Sequence, residues 1–137
     1  MQVEFILYVQ DQARSRDFYA AVLAQQPSLD VPGMTEFDLG PGCKLGLMPE
    51  NGIARIITPA MRHPVDGQGI PRCELYLLVQ DATAYCNRAL AAGALEVSPL
   101  SPRNWGDSVG YFADWDGHVV AIAEKTDSQE IRSRIGP

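Results

Sequence analysis

The sequence predicts an α+β fold of two tandem βαβββ modules whose strands form a curved mixed sheet around a cleft. Three observations predict it. An eight-residue segment recurs half a chain apart, each copy is followed by a helix signal, and each helix is followed by three short extended runs. Residues 4–11 read EFILYVQD and residues 74–81 read ELYLLVQD, identical at five of eight positions with an offset of 70 residues in a chain of 137. A repeat of this length is one supersecondary unit, and two units stacked can bury what one leaves exposed.

In the first copy, EFILYVQ carries the β-branched and aromatic residues of a strand. Asp11 is placed to cap the helix that follows, in which Phe18, Tyr19, Val22 and Leu23 mark one apolar face. That spacing assigns Tyr19 to the core. PSLDV, MTEFDL and CKLGLM come next, divided by Pro-Gly and Gly-Pro-Gly turns. Gly40-Pro41-Gly42 is a turn and not a phosphate loop, because no helix opening with Lys or Ser/Thr follows it.

In the second copy, ELYLLVQ is the strand and Asp81 the cap of an Ala-rich helix that Gly93 ends. LEVSPL, SVGYFAD and HVVAIAEK then form the second meander. The chain is thus one domain: module 1 over 3–49, a Pro- and Gly-rich linker over 50–71, module 2 over 72–125, and a polar tail over 126–137. The tail reads as disordered or as a cap on a neighbouring chain.

Alternate side chains of a strand face opposite ways. Phe5, Leu7 and Val9 are expected on the helix, as are Leu75, Leu77 and Val79, Leu45 and Leu47, and Val120 and Ile122. Two helices cannot cover both faces of eight strands. The uncovered faces must curl toward each other or meet a partner chain. Their residues, Glu4, Tyr8, Lys44, Met48, Glu74 and Tyr76 with the small Gly46 and Ala121, are the expected lining of a ligand cleft. Trp105, in the loop NWGD, is expected at the cleft mouth, and Tyr111 is a further candidate whose face depends on one register step.

Charge and cysteine content bound the partners. A net charge of -6 excludes nucleic acid or an anionic membrane surface as the main partner, since both demand a basic face. Cys43, Cys73 and Cys86 are odd in number and form no CxxC pair, which fits a reducing compartment and three passive small hydrophobes. The N-terminus MQVEFILYVQD has neither a basic leader nor a long apolar run, so the reading is cytoplasmic.

The strand ending in VQD, the helix with RDFY and the closing DWDGHVVAIAE resemble the vicinal oxygen chelate superfamily, the group of glyoxalase I, bleomycin-resistance proteins and extradiol dioxygenases. The resemblance covers residues 3–125. Asp114–Glu124 looks like that group's D-P-D-G-N/H turn and strand, with Trp115 where proline is usual. The resemblance implies paired βαβββ modules and a homodimer. It also implies four metal-ligand positions, which fall on Glu4, Gly46, Glu74 and Ala121. Two of these have no ligand atom, so no metal or other cofactor is expected. Glu4 and Glu74 remain weak metal candidates and the candidate catalytic pair, as facing carboxylates of which one would be raised in pKa. His118 is expected as an exposed residue of the turn. Two functions are therefore carried forward: a metal-free small-molecule binder, and a glyoxalase-related lyase or isomerase using Glu4 or Glu74 as base.

Overall fold

The computed structural model describes residues 1–126, so the tail reading for 127–137 lies outside the described residues. Module 1 comprises β1 (Val3–Val9), α1 (Gln12–Leu23), β2 (Leu29–Val31), β3 (Met34–Gly40) and β4 (Cys43–Pro49). After α2 (Glu50–Ile57), module 2 comprises β5 (Glu74–Leu78), α3 (Ala82–Ala91), β6 (Leu95–Pro102), β7 (Asp107–Ala113) and β8 (Val119–Lys125). Each module forms one four-stranded mixed sheet, in the orders β1-β4-β3-β2 and β5-β8-β7-β6. In both, the first strand is an edge paired parallel to the last, and the meander is antiparallel. The fold class is the one expected.

The helix starts follow from the caps. Asp11 accepts from the Arg14 amide at 3.0 Å and Asp81 from the Ala84 amide at 3.1 Å, each satisfying one orphan N–H of the first turn. Gly93, just past α3, has φ +98, a conformation that favours glycine.

The helix-facing sides of both sheets share one core. Val9, Phe37, Leu45 and Leu47 of module 1 join Leu77, Phe112, Val120 and Ile122 of module 2 through Phe18, Tyr19 and Val22 of α1 and Ala82, Cys86 and Ala89 of α3. α1 and α3 pack directly on one another. A second, smaller cluster of Val109, Ala121 and Ala123 lies on the other side of sheet two, packed against Tyr111.

Three expectations are corrected. Phe5 does not pack on a helix: it is 61% exposed, because β1 is an edge strand while α1 lies over β3 and β4. The segment 50–71 is not plain loop. α2 follows β4 directly, with Ala54 buried and Ile56 exposed, and Pro64–Gly67 makes a turn of 3-10 helix. Glu50 in its first turn and Arg55 in its last suit the helix dipole. His118 is not an exposed turn residue. It is half-buried, and its Nε2 donates to the Tyr8 carbonyl at 2.8 Å.

That contact belongs to a polar junction between the modules. Asp116 accepts from the Gln10 amide at 2.9 Å and from the Ser15 hydroxyl at 3.5 Å. The Tyr19 hydroxyl donates to Asp114 at 2.6 Å. Tyr19 is fully buried, and burial together with the Asp114 carboxylate pushes its pKa well up. The Arg88 guanidinium donates to the Val22 carbonyl at 3.1 Å. The turn between β7 and β8 thus docks on the β1–α1 junction and brings the start of β8 beside the end of β1.

Candidate functional site

Two surfaces hold the residues singled out above, and a cavity lies between the modules. On the open side of sheet one, Glu4 stands opposite Lys44 and Glu36 opposite Gly46 in the strand register. The Glu4 carboxyl lies over Gly46: a Cβ added there would meet Glu4 Oε1 at 2.5 Å. Glycine is therefore required for the carboxyl to sit where it does. Glu4 Oε1 is buried and has no hydrogen-bond partner among the described residues. Loss of water around it, and then the adjacent Glu36 carboxyl, raise the pKa of Glu4 above its ordinary 4.5, with Lys44 opposing. Lys44 Nζ is 3.7 Å from Glu36 and 3.9 Å from Asp38. Tyr8 and Met48 face each other four residues further along.

On the open side of sheet two, Tyr76 and Tyr111 flank Ala121 in the register. Tyr111 accordingly faces away from Phe112 and the main core, which settles the register step left open above. The Tyr76 hydroxyl donates to Asp107 Oδ2 at 2.6 Å and accepts from Trp105 Nε1 at 2.9 Å. Lys125 Nζ is 3.3 Å from Asp107 Oδ1. The Tyr76 hydrogen bond, followed by Lys125, holds the Asp107 carboxyl below its usual range. Burial and the bond to Asp107 raise Tyr76. The Arg103 guanidinium stands 5.1 Å from the Tyr111 ring centroid.

The cavity, of about 550 Å³, runs along the free edges of β1 and β5. Phe5, Leu7, Leu45, Leu75, Leu77 and Tyr85 wall it, and Glu74, Tyr76 and His118 reach it from module 2. Glu4, Tyr8, Lys44 and Met48 take no part in its lining.

The structure thus brings together Tyr76, Trp105 and Tyr111 on one face, and Glu4 with Lys44 on another. Glu4 and Glu74 have different surroundings. Glu4 is half-buried beside Glu36, whereas Glu74 is exposed at the cavity. Sequence reasoning missed Glu36, Asp107 and His118. Alternation along β3 places Glu36 on the open side, but the diagonal reach of Glu4 across Gly46 required the register of three strands.

The four positions that metal enzymes of the resembled group use do not fit a metal here. Gly46 and Ala121 bring no donor atom, and the space over Gly46 is filled by the Glu4 carboxyl itself. Among the described residues, no three His, Cys, Asp or Glu side chains are grouped to hold an ion.

Paired βαβββ modules, joined through their helix-facing sides and each closed by a parallel edge strand, define a protein of the vicinal oxygen chelate superfamily. Residues 2–127 match the glyoxalase-like domain, and the chain belongs to that family. Solved structures agree in fold. A glyoxalase-related enzyme from Fulvimarina pelagi superposes with a TM-score of 0.76 at 22% identity, over 91% of this chain and 88% of that one. A glyoxalase/bleomycin resistance protein/dioxygenase from Nocardioides gives a TM-score of 0.70 at 22% identity, covering 93% and 85%. A glyoxalase/bleomycin resistance protein/dioxygenase family enzyme from Burkholderia phytofirmans gives 0.75 at 16%, covering 90% and 97%. No curated protein matches the chain at a significant level. No helix among the described residues is long and apolar enough to cross a membrane.

Proposed function

We propose that the protein binds a small, largely apolar molecule without a resident metal, in the cavity between its two modules. The observation that carries this reading is the cavity itself, about 550 Å³ with mostly aliphatic and aromatic walls, within the size range of small-molecule sites. The absence of donor atoms at Gly46 and Ala121 supports a binder over a metal enzyme. The unpaired edges of β1 and β5, with Phe5, Ile6 and Leu78 exposed beside them, support a homodimer that covers this apolar margin. Three free cysteines support a cytoplasmic setting.

The test is calorimetric titration of the purified chain with n-octanol, a neutral apolar probe, against a Leu75→Trp variant that fills the cavity. Saturable binding to the parent chain and its loss in a folded variant are expected. No binding to either, or equal binding to both, would remove the reading.

A second reading, a lyase or isomerase that moves a proton beside a carbonyl, is favoured by one observation. Glu4 is a carboxyl with a buried, unpartnered oxygen and a raised pKa, a state that suits a general base or acid. Its test is loss of turnover in Glu4→Gln with ligand binding intact.

A further inference from the structure

The charge of the cavity lining is one-sided. Its charged residues are the carboxylates Asp38 and Glu74, and no lysine or arginine lines it among the described residues. Asp38 is already compensated, lying 3.9 Å from Lys44 Nζ. Glu74 has no ion-pair partner among the described residues. Arg72, the nearest cation along the chain, is exposed and outside the lining. His118 also lines the cavity, with its Nε2 committed to the Tyr8 carbonyl at 2.8 Å, and so does Tyr76, whose hydroxyl is committed to Asp107 and Trp105. Most of the remaining lining is apolar, with Leu75, Leu77, Phe5 and Leu7 among it. An exposed carboxylate on the lining of an apolar chamber, with no counter-charge among the described residues, is complementary to a molecule with a hydrocarbon body and one cationic end.

Resting on the binding reading above, we infer that the ligand is an apolar primary amine or alkylammonium. Its hydrocarbon occupies the inter-module cavity and its ammonium pairs with Glu74. A carboxylate-bearing ligand of the same shape is repelled at that position and finds no cation in the lining among the described residues. Because Glu74 is exposed, solvent screens the pair, and the selectivity is modest: about tenfold between an ammonium and a carboxylate at low ionic strength. It falls as salt shortens the Debye length.

The experiment compares n-octylammonium, n-octanol and n-octanoate by calorimetry at pH 7, on the full chain and on Glu74→Gln. For the parent chain the expected order is octylammonium, then octanol, then octanoate, with about a tenfold span. Glu74→Gln is expected to collapse the span to within about twofold. If octanol binds but octylammonium and octanoate bind alike, or if Glu74→Gln leaves their ratio intact, the amine assignment fails and the cavity reading stands. If octanol itself does not bind, the cavity reading fails and takes the assignment with it.

Discussion

The two modules are alike on the sides that face the helices and unlike on the sides that do not. Aligned by the 70-residue repeat and the strand registers, Phe37 corresponds to Phe112, Leu45 to Val120, Leu47 to Ile122 and Leu7 to Leu77. All are apolar, and all pack in or against one core. On the open sides, Glu4 and Glu74 are the same residue, yet Lys44 answers to Val119, Gly46 to Ala121 and Ile6 to Tyr76. Packing density constrains the inner faces in both halves, since a lost methylene there leaves a cavity. The outer faces are packed less evenly, with a small buried cluster of Val109, Ala121 and Ala123 on sheet two. Module 1 fills the space over its small residue with a carboxyl. Module 2 ties its tyrosine ring to Asp107 and Trp105.

The inner likeness is broken first by Phe37→Ala and Phe112→Ala. Both rings are essentially fully buried, so each variant is expected to lose about 3–5 kcal/mol in urea denaturation. Because one core spans both modules, each is expected to unfold in a single transition. A second transition, or losses that differ by more than about 2 kcal/mol, the spread of such truncations, would show that the halves are not equivalent inside.

A smaller effect sharpens the outer difference. Tyr76→Phe removes the hydrogen bond to Asp107 and is expected to cost about 1 kcal/mol. The carboxyl of Asp107 then loses the first cause of its lowered pKa and titrates at higher pH. Trp105 loses its acceptor, so its emission shifts. The corresponding residue of module 1, Ile6, has no polar atom to lose. An unchanged Asp107 titration in Tyr76→Phe, followed by carbon-detected NMR of the carboxyl, would dissolve the Tyr76–Asp107–Trp105 unit.

Most of the fold was legible in the sequence because it rests on local signals: alternation, caps and turn glycines. Asp11 and Asp81 cap where their type and place require. The linker helix α2 was not, since eight residues that include Gly52 and run into Pro59 look like loop, and its stability comes from packing of Ala54 and Glu50. Phe5 was misplaced because alternation reports which side a residue faces, not whether anything lies on that side. The site was less legible. Tyr76, Trp105 and Tyr111 could be nominated as aromatic residues on open strands and loops. That Glu4 pairs with Glu36 while Glu74 stands at a cavity depends on how the modules dock, through Asp114, Asp116 and His118. No local pattern encodes that docking.

The finest test concerns Glu4 and the glycine beneath its carboxyl. The pKa of Glu4 is raised in the fold above its ordinary 4.5, so the native state holds the proton more tightly than the unfolded chain. Its contribution to stability is present below pH 4.5 and is lost as pH rises through the raised value. Glu4→Gln removes that loss: its stability profile is expected to be flatter than the parent's above pH 4.5, and at neutral pH it is expected to be slightly the more stable. Glu50 and Asp116 are also raised and slope the profile the same way, so the comparison is of differences between variant and parent. Gly46→Ala places a methyl where Glu4 Oε1 lies and pushes the carboxyl out to water. The atoms it meets belong to the side chains of Glu4 and, at 3.0 Å, Ile6 rather than to backbone, so the fold survives and the profile flattens as in Glu4→Gln. A Glu4→Gln profile as steep as the parent's above pH 4.5 would mean that the fold does not hold the Glu4 proton more tightly than the unfolded chain does, and the account of this open face would be lost.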